Sequence, residues 1–136
     1  INHQYIKRKQ VWGDKEVLPE FDLITYKSVQ SIGDLNPHGS WVESLNVMQD
    51  DISNIDFDIA LLGCGTYGLP LVDFIKNSVN KSAIYVGGAI QILFGIKGNR
   101  WESHDEISSF FNEYWIRPFD SERVYNYKIL EGGCYW

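Results

Sequence analysis

The sequence is poor in the residues that build disulfide frameworks, metal sites and membrane spans. Its 136 residues hold two cysteines, Cys64 and Cys134, one among glycines and the other almost at the last position. Neither number nor spacing describes a disulfide framework, so reduced thiols in a cytosolic protein are expected. The three histidines, His3, His38 and His104, are scattered, and no H-x-x-x-H or C-x-x-C spacing suggests a protein-only zinc site. No apolar run is long enough to cross a bilayer, and no basic-then-apolar leader opens the sequence. Positive charge is scarce: 12 Lys and Arg stand against 18 Asp and Glu, for a net charge of −6. Nucleic-acid binders draw their affinity mainly from neutralising phosphates, so that class is disfavoured; one small phosphorylated ligand held by a few local cations is not. Internal repeats and low-complexity tracts are also absent. What remains is a cytoplasmic globular chain with no membrane span and no nucleic-acid partner.

Aromatic residues, by contrast, are plentiful, with five Trp, eight Tyr and seven Phe. They form a bulky core or line a cleft or interface. The sequence opens on Ile1 rather than Met and enters a helical pattern at once with Gln4-Tyr5-Ile6-Lys7-Arg8-Lys9. A C-terminal fragment of a longer protein is the expectation from that start.

The helical pattern runs from Asn2 to Trp12 and stops at Gly13. Phe21 to Tyr26 reads as a strand extending toward Val29, and Gly33 to Gly39, with Asn36-Pro37, as a loop. Ser40-Trp41-Val42-Glu43 has the form of a capping box, and Leu45, Met48 and Ile52 follow at helical spacing. Phe57 to Leu62 is a continuous apolar strand of the kind buried on both faces in a parallel sheet. A helix from Leu69 carries Pro70 in its first turn and Leu71, Ile75 and Val79 on its inner face. Ala83 to Val86 is the next strand, which completes a strand–helix–strand unit. A short helix is expected over Ala89 to Phe94. Beyond it, Ser103 to Glu106 forms a second capping box before a helix striped by Ile107, Phe110, Phe111, Tyr114 and Trp115. Residues 119–136 read as an irregular aromatic tail, with Tyr135-Trp136 packing back. Together these segments predict one α/β domain over 1–136, Rossmann-like, with a mainly parallel sheet and flanking helices.

Gly63-Cys64-Gly65-Thr66-Tyr67-Gly68 matches G-x-G-x-x-G between a strand and a helix. Glycines allow a tight turn and close approach of a ligand, and the helix N-terminus offers free N–H groups to an anion. The alternative is that these glycines only pack the helix onto the sheet. A dinucleotide site also needs Asp or Glu at the end of the following strand. Val86-Gly87-Gly88-Ala89 stands there, which disfavours an NAD(P)-linked enzyme. Cys64 lies near a helix N-terminus, a place that lowers thiol pKa; a small residue in a tight turn is the preferred reading over a nucleophile. Lys97 and Arg100 flank Gly98 and are candidates for contacting a phosphate, or are two solvated loop charges. Trp101 and Gln91 could stack on, or hydrogen-bond to, a base or sugar, or be structural. Glu113 and Arg117 have the spacing of a helix surface pair.

From Phe57 onward the chain resembles a bacterial family associated with surface-polysaccharide biosynthesis. The residues that carry the likeness run from Phe57 to Leu71 (FDIALLGCGTYGLPL) and from Gly87 to Trp101 (GGAIQILFGIKGNRW). Asn112-Glu113-Tyr114-Trp115 and Glu131-Gly132-Gly133-Cys134-Tyr135-Trp136 fit as well, and Phe21 to Trp41 less sharply. That family is in turn similar to the C-terminal half of GT-D-type glycosyltransferases, which use nucleotide-sugar donors, usually with a divalent metal. The resemblance implies a nucleotide-sugar or other phosphorylated ligand at the Gly63–Gly68 turn, Gly88 and the Lys97–Arg100 loop. It implies no cofactor site within this chain, and catalytic carboxylates and any divalent metal in an N-terminal segment. The other class considered is a non-catalytic ligand-binding or assembly module, in which Phe110 to Trp136 forms a partner or homo-oligomer surface.

Overall fold

The computed structural model describes residues 1–31, 37–129 and 131–136. Seven short α-helices and two β-strands are found among them. The chain divides into two compact units. One is Tyr26–Ile90; the other, here the terminal unit, joins Ile1–Thr25 to Gln91–Trp136.

The Tyr26–Ile90 unit begins with an extended segment and α3 (Trp41–Ser53), α1 and α2 lying in the terminal unit. Ser40 caps α3, its hydroxyl accepting from the Glu43 N–H at 3.1 Å, as the capping pattern requires. Then follow β1 (Ile59–Leu62), a 3-10 turn (Gly65–Tyr67), α4 (Gly68–Asn77) and β2 (Ser82–Tyr85). β1 and β2 pair in parallel, with Ile59 opposite Ser82 and Leu62 opposite Tyr85. The expected strand–helix–strand unit is therefore present. Its core is Met48, Ile52, Leu62, Tyr67, Leu71 and Ile75, the inner stripes of α3 and α4 meeting one face of the strands.

The expected Rossmann-like, mainly parallel sheet is not formed. Among the described residues the sheet has two strands, and short helices and loops make up most of the remainder. Two features account for this. First, β1 is buried on one face only: Leu62 is 7% exposed, whereas Ile59 is 61% and Leu61 37% exposed. Its apolar run does not signal a strand in mid-sheet. Second, Phe21 to Tyr26 forms no strand. The Phe21 N–H donates to the Tyr5 hydroxyl at 2.7 Å, and that hydroxyl donates to the Phe21 carbonyl. One phenol thus meets both backbone groups of Phe21, in place of a ladder. Within the other unit, the Tyr26 hydroxyl donates to Asp51 at 2.7 Å. The loop expected over Gly33 to Gly39 falls outside the described residues as far as Asn36; Pro37 to Gly39 form turn and bend.

In the terminal unit the expected helix over Asn2 to Trp12 is two helices, α1 (Asn2–Ile6) and α2 (Arg8–Trp12). The Lys7 N–H bonds to the Gln4 carbonyl, three residues back, which tightens the turn and ends the first ladder. α5 (Ala89–Leu93) carries the chain from one unit into the other, and α6 (Asn99–Glu102) and α7 (Asp105–Ser108) follow. The long helix expected from Ser103 to Trp115 stops after one turn. His104, not Ser103, is the N-cap residue of α7, and its side chain makes no capping bond. Asn112 then draws the chain away from the helical path. Its amide donates to the carbonyls of Gln10 and Val11 at the end of α2, at 3.1 and 3.2 Å, and its side-chain oxygen accepts from the Tyr114 N–H. Trp115 is 3% exposed, and its indole donates to the Val11 carbonyl at 3.2 Å. Arg117 pairs with Glu102 and Asn99, not with Glu113.

Gln4 is the most buried polar side chain of this unit, at 1% exposure. Its amide donates to the carbonyls of Gly95 at 3.1 Å and Tyr114 at 2.9 Å. Replacing it by leucine keeps much of the volume, removes the side-chain donor to the Tyr114 carbonyl and leaves the Gly95 carbonyl only the Ile116 N–H. Gln4→Leu should lower stability by about 1–3 kcal/mol, against about 1 kcal/mol for Asn112→Ala, whose bonds lie nearer solvent. Urea midpoints for the two variants check this; a Gln4→Leu protein as stable as the parent would refute it.

Candidate functional site

The Gly63–Gly68 turn lies at the C-terminal end of β1, where the strand passes into α4. Each of its glycines is required for a different reason. A Cβ at Gly63 would lie 2.6 Å from Cγ2 of Ile90 and 2.7 Å from the Gly87 carbonyl oxygen. A Cβ at Gly68 would lie 2.2 Å from the Tyr85 ring. These two glycines let the turn and α4 press against the end of β2. Tyr85 adds a bond from its hydroxyl to the Gly65 carbonyl at 3.0 Å. Gly65 differs. Its φ is 58°, and no atom stands within 4 Å of where its Cβ would be. Left-handed backbone explains glycine at this position, and the space beside it is open.

The other members of the motif face different surroundings. Thr66 is exposed. Tyr67 is a core residue at 4% exposure, stacked on Trp41 at 4.9 Å with an interplanar angle of 4°. Its hydroxyl shares a 2.5 Å hydrogen bond with Ser31, so its polar atom already has a partner. Cys64 is half-buried and packs against the core. Desolvation pushes its thiol pKa up, outweighing a hydrogen bond from its own backbone that pulls it down. The shift is opposite to the one a helix N-terminus alone would give, and it disfavours a nucleophile. No side chain caps the 3-10 turn or the start of α4. Gly88 sits half-buried in the turn that follows β2.

Gln91, Lys97, Arg100 and Trp101 belong to the terminal unit. Lys97 lies with its ammonium 5.7 Å from the centre of the Phe111 ring. The other three are gathered around the last residues of the sequence. Arg100 pairs with Glu131 and donates to the Tyr135 hydroxyl at 3.0 Å. Its backbone N–H donates to the Cys134 carbonyl at 3.0 Å. Gln91 donates to the Tyr135 carbonyl at 2.9 Å and accepts from the Trp101 indole at 3.1 Å. Neither cation is therefore a plain solvated loop charge. Glu131, Cys134 and Tyr135 belong to this cluster; sequence reasoning gave them no part in a site and suggested only that Tyr135-Trp136 packs back. The signals available were the Gly132-Gly133 pair and the aromatic ending, which pointed to a docked tail but not to what it docks on.

Among the described residues, no three His, Cys, Asp or Glu side chains stand together in a way that could hold a metal ion. No helix there is long and apolar enough to cross a membrane. A depression of about 390 Å³ in the Tyr26–Ile90 unit is lined by Ile59, Lys81 and Ile84 among others. Another of about 270 Å³, in the terminal unit, is lined by Trp12, Lys15 and Phe110 among others. Neither contains an expected contact residue.

The raised thiol pKa of Cys64 has a direct consequence. Its alkylation by iodoacetamide, followed by peptide mass mapping, should show a pH midpoint above the ordinary thiol value of about 8.5. A midpoint below that value would restore the activated-thiol reading.

No family model matches the chain, and neither the curated proteins nor the solved structures searched gave a match.

Proposed function

We propose that the protein is glycosyltransferase-like and binds a nucleotide-sugar or another phosphorylated ligand. Within the Tyr26–Ile90 unit the contact region is the Gly63–Gly68 turn; within the terminal unit the Lys97–Arg100 loop is a candidate phosphate contact of its own. The class of ligand comes from the family resemblance of the sequence. The observation that carries the reading is Gly65: a left-handed glycine with open space beside it, at the C-terminal end of a parallel strand. It opens the turn into α4, whose start no side chain caps. At that start the Gly68 N–H donates to the Gly65 carbonyl and Pro70 has no N–H; the N–H groups of the preceding turn are the ones whose partial positive charge would favour a phosphate. Gly63 and Gly68 hold this turn against the end of β2, so the backbone that would meet the anion is fixed before it arrives.

A second reading is favoured by a separate observation. Phe119, Tyr125 and Ile129 are 56%, 76% and 68% exposed. Apolar groups so placed suit a partner or a second copy of the chain, as in a non-catalytic assembly module. In that case Tyr125→Ser with Ile129→Ser lowers the sedimenting mass and leaves ligand binding unchanged.

Thermal melting against nucleoside diphosphates, nucleotide-sugars and NAD(P), each with and without Mn²⁺, tests the first reading. A ligand that binds only the folded state, at a hundredfold excess over its Kd, stabilises by about 2.7 kcal/mol. The expected outcome is a raised Tm with one nucleoside diphosphate or its sugar conjugate. Gly65→Ala, which places a methyl in the open space, should melt cooperatively and lose that shift. An equal shift in Gly65→Ala would remove the turn from the ligand site. No shift with any phosphorylated ligand would reject the reading itself.

A further inference from the structure

Arg100 already has an anion on it, and that anion belongs to the chain. The Glu131 carboxylate pairs with the guanidinium, whose plane also lies over the Tyr135 ring, 4.7 Å from its centre. The rest of the segment is seated by backbone contacts. The Arg100 N–H holds the Cys134 carbonyl and the Gln91 amide holds the Tyr135 carbonyl. Gly98 lies directly beneath: a Cβ there would be 2.8 Å from the Tyr135 carbonyl carbon and 2.9 Å from the Cys134 oxygen. Residues 91–101 therefore form a fitted cradle for residues 131–136.

The fit is not relaxed. Glu131, Gly132 and Gly133 have φ values of 47°, 68° and 76°, three left-handed residues in succession. Glycine adopts that conformation freely, whereas a residue with a Cβ, such as Glu131, is strained in it. The ion pair that holds Glu131 is half-exposed, with side-chain exposures of 32% and 53%. Pairs so placed contribute little to stability. A strained residue held by a weak pair can be displaced. Guanidinium recognises carboxylate and phosphate by the same forked geometry, so the group able to displace it is a phosphate.

We propose that Glu131–Trp136 is an internal strap whose Glu131 carboxylate competes with the ligand's phosphate for Arg100. The proposal rests on the reading that Arg100 contacts a phosphorylated ligand, and it adds regulation to that contact. With the strap docked, Arg100 is neutralised and its phosphate site is filled. A diphosphate lifts Glu131 and takes its place. The measured affinity is then the intrinsic one multiplied by the fraction of molecules with the strap open.

Pyrophosphate, titrated by calorimetry, is the probe, with the parent protein, Glu131→Gln, Arg100→Ala and the double variant. A strap open in about one molecule in ten predicts that Glu131→Gln binds pyrophosphate about tenfold more tightly, and that adding Arg100→Ala removes the gain. An independent readout is Cys134, whose thiol lies 3.6 Å from a Glu131 carboxylate oxygen. Its alkylation rate, followed by peptide mass mapping, should rise when pyrophosphate is added to the parent. Equal affinities for parent and Glu131→Gln, both abolished by Arg100→Ala, would overturn the strap and leave Arg100 as a phosphate contact. Binding that survives Arg100→Ala, or no binding by a cooperatively melting Glu131→Gln, would overturn both.

Discussion

In the terminal unit, the buried Gln4 amide donates to two backbone carbonyls, that of Tyr114 and that of Gly95, which also accepts from the Ile116 N–H. The constraint it answers is general to this molecule. Helices of four or five residues and a two-stranded sheet leave many backbone groups without regular partners. A buried carbonyl or N–H without a partner is costly, so side chains must supply the bonds. Asn112 meets the end of α2, Trp115 meets the Val11 carbonyl, and the Trp12 indole meets the Leu93 carbonyl at 2.8 Å. The abundance of amides and indoles is thus partly a response to short elements. Close packing follows the same logic: a Cβ at Gly95 would lie 2.4 Å from Val11 and 3.3 Å from the Gln4 amide nitrogen.

The Tyr26–Ile90 unit solves the problem with more regular structure, because α3 and α4 are long enough to satisfy themselves and to present continuous apolar stripes. Met48, Leu71 and Ile75 are 0%, 2% and 1% exposed. Truncation of such a residue to alanine costs about 2–5 kcal/mol. The strands are less well covered. Ile59, Leu61 and Ile84 leave an apolar face exposed, and among the described residues each of the two strands has one edge without a strand partner.

The chemistry that this architecture can support follows from which polar groups are already engaged. Tyr67 has a partner in Ser31, and burial pushes the Cys64 thiol pKa up. Gln91 accepts from the Trp101 indole and donates to the docked tail. Lys97 lies beside an aromatic ring. Of the expected contact residues, Gly65 has open space beside its backbone and Arg100 pairs with Glu131 in a half-exposed contact. Both suit an anion, and neither supplies a general base or a nucleophile. In a chain with net charge −6, such local positive features are what the proposed phosphate contact would need.

Local rules were legible in the sequence. Ser40 followed by Glu43 marked the start of α3, and Leu71 and Ile75 marked the inner face of α4. The strand–turn–helix–strand order from Phe57 to Tyr85 also followed from pattern, because helix caps, apolar periodicity and glycine turns act over a few residues. The extent of the sheet did not follow. Phe21 to Tyr26 has the composition of a strand, yet pairing requires a partner edge, and the Tyr5 phenol takes its place. Ser103 to Trp115 has a helical stripe, yet Asn112 bonds to residues about a hundred positions away and turns the chain. Arg100 read as a free cation because Glu131 lies 31 positions distant. The sequence by itself determined where local order begins and ends. Tertiary structure decided which backbone groups met side chains instead of a ladder, and which charges were already paired, because those contacts join residues far apart along the chain.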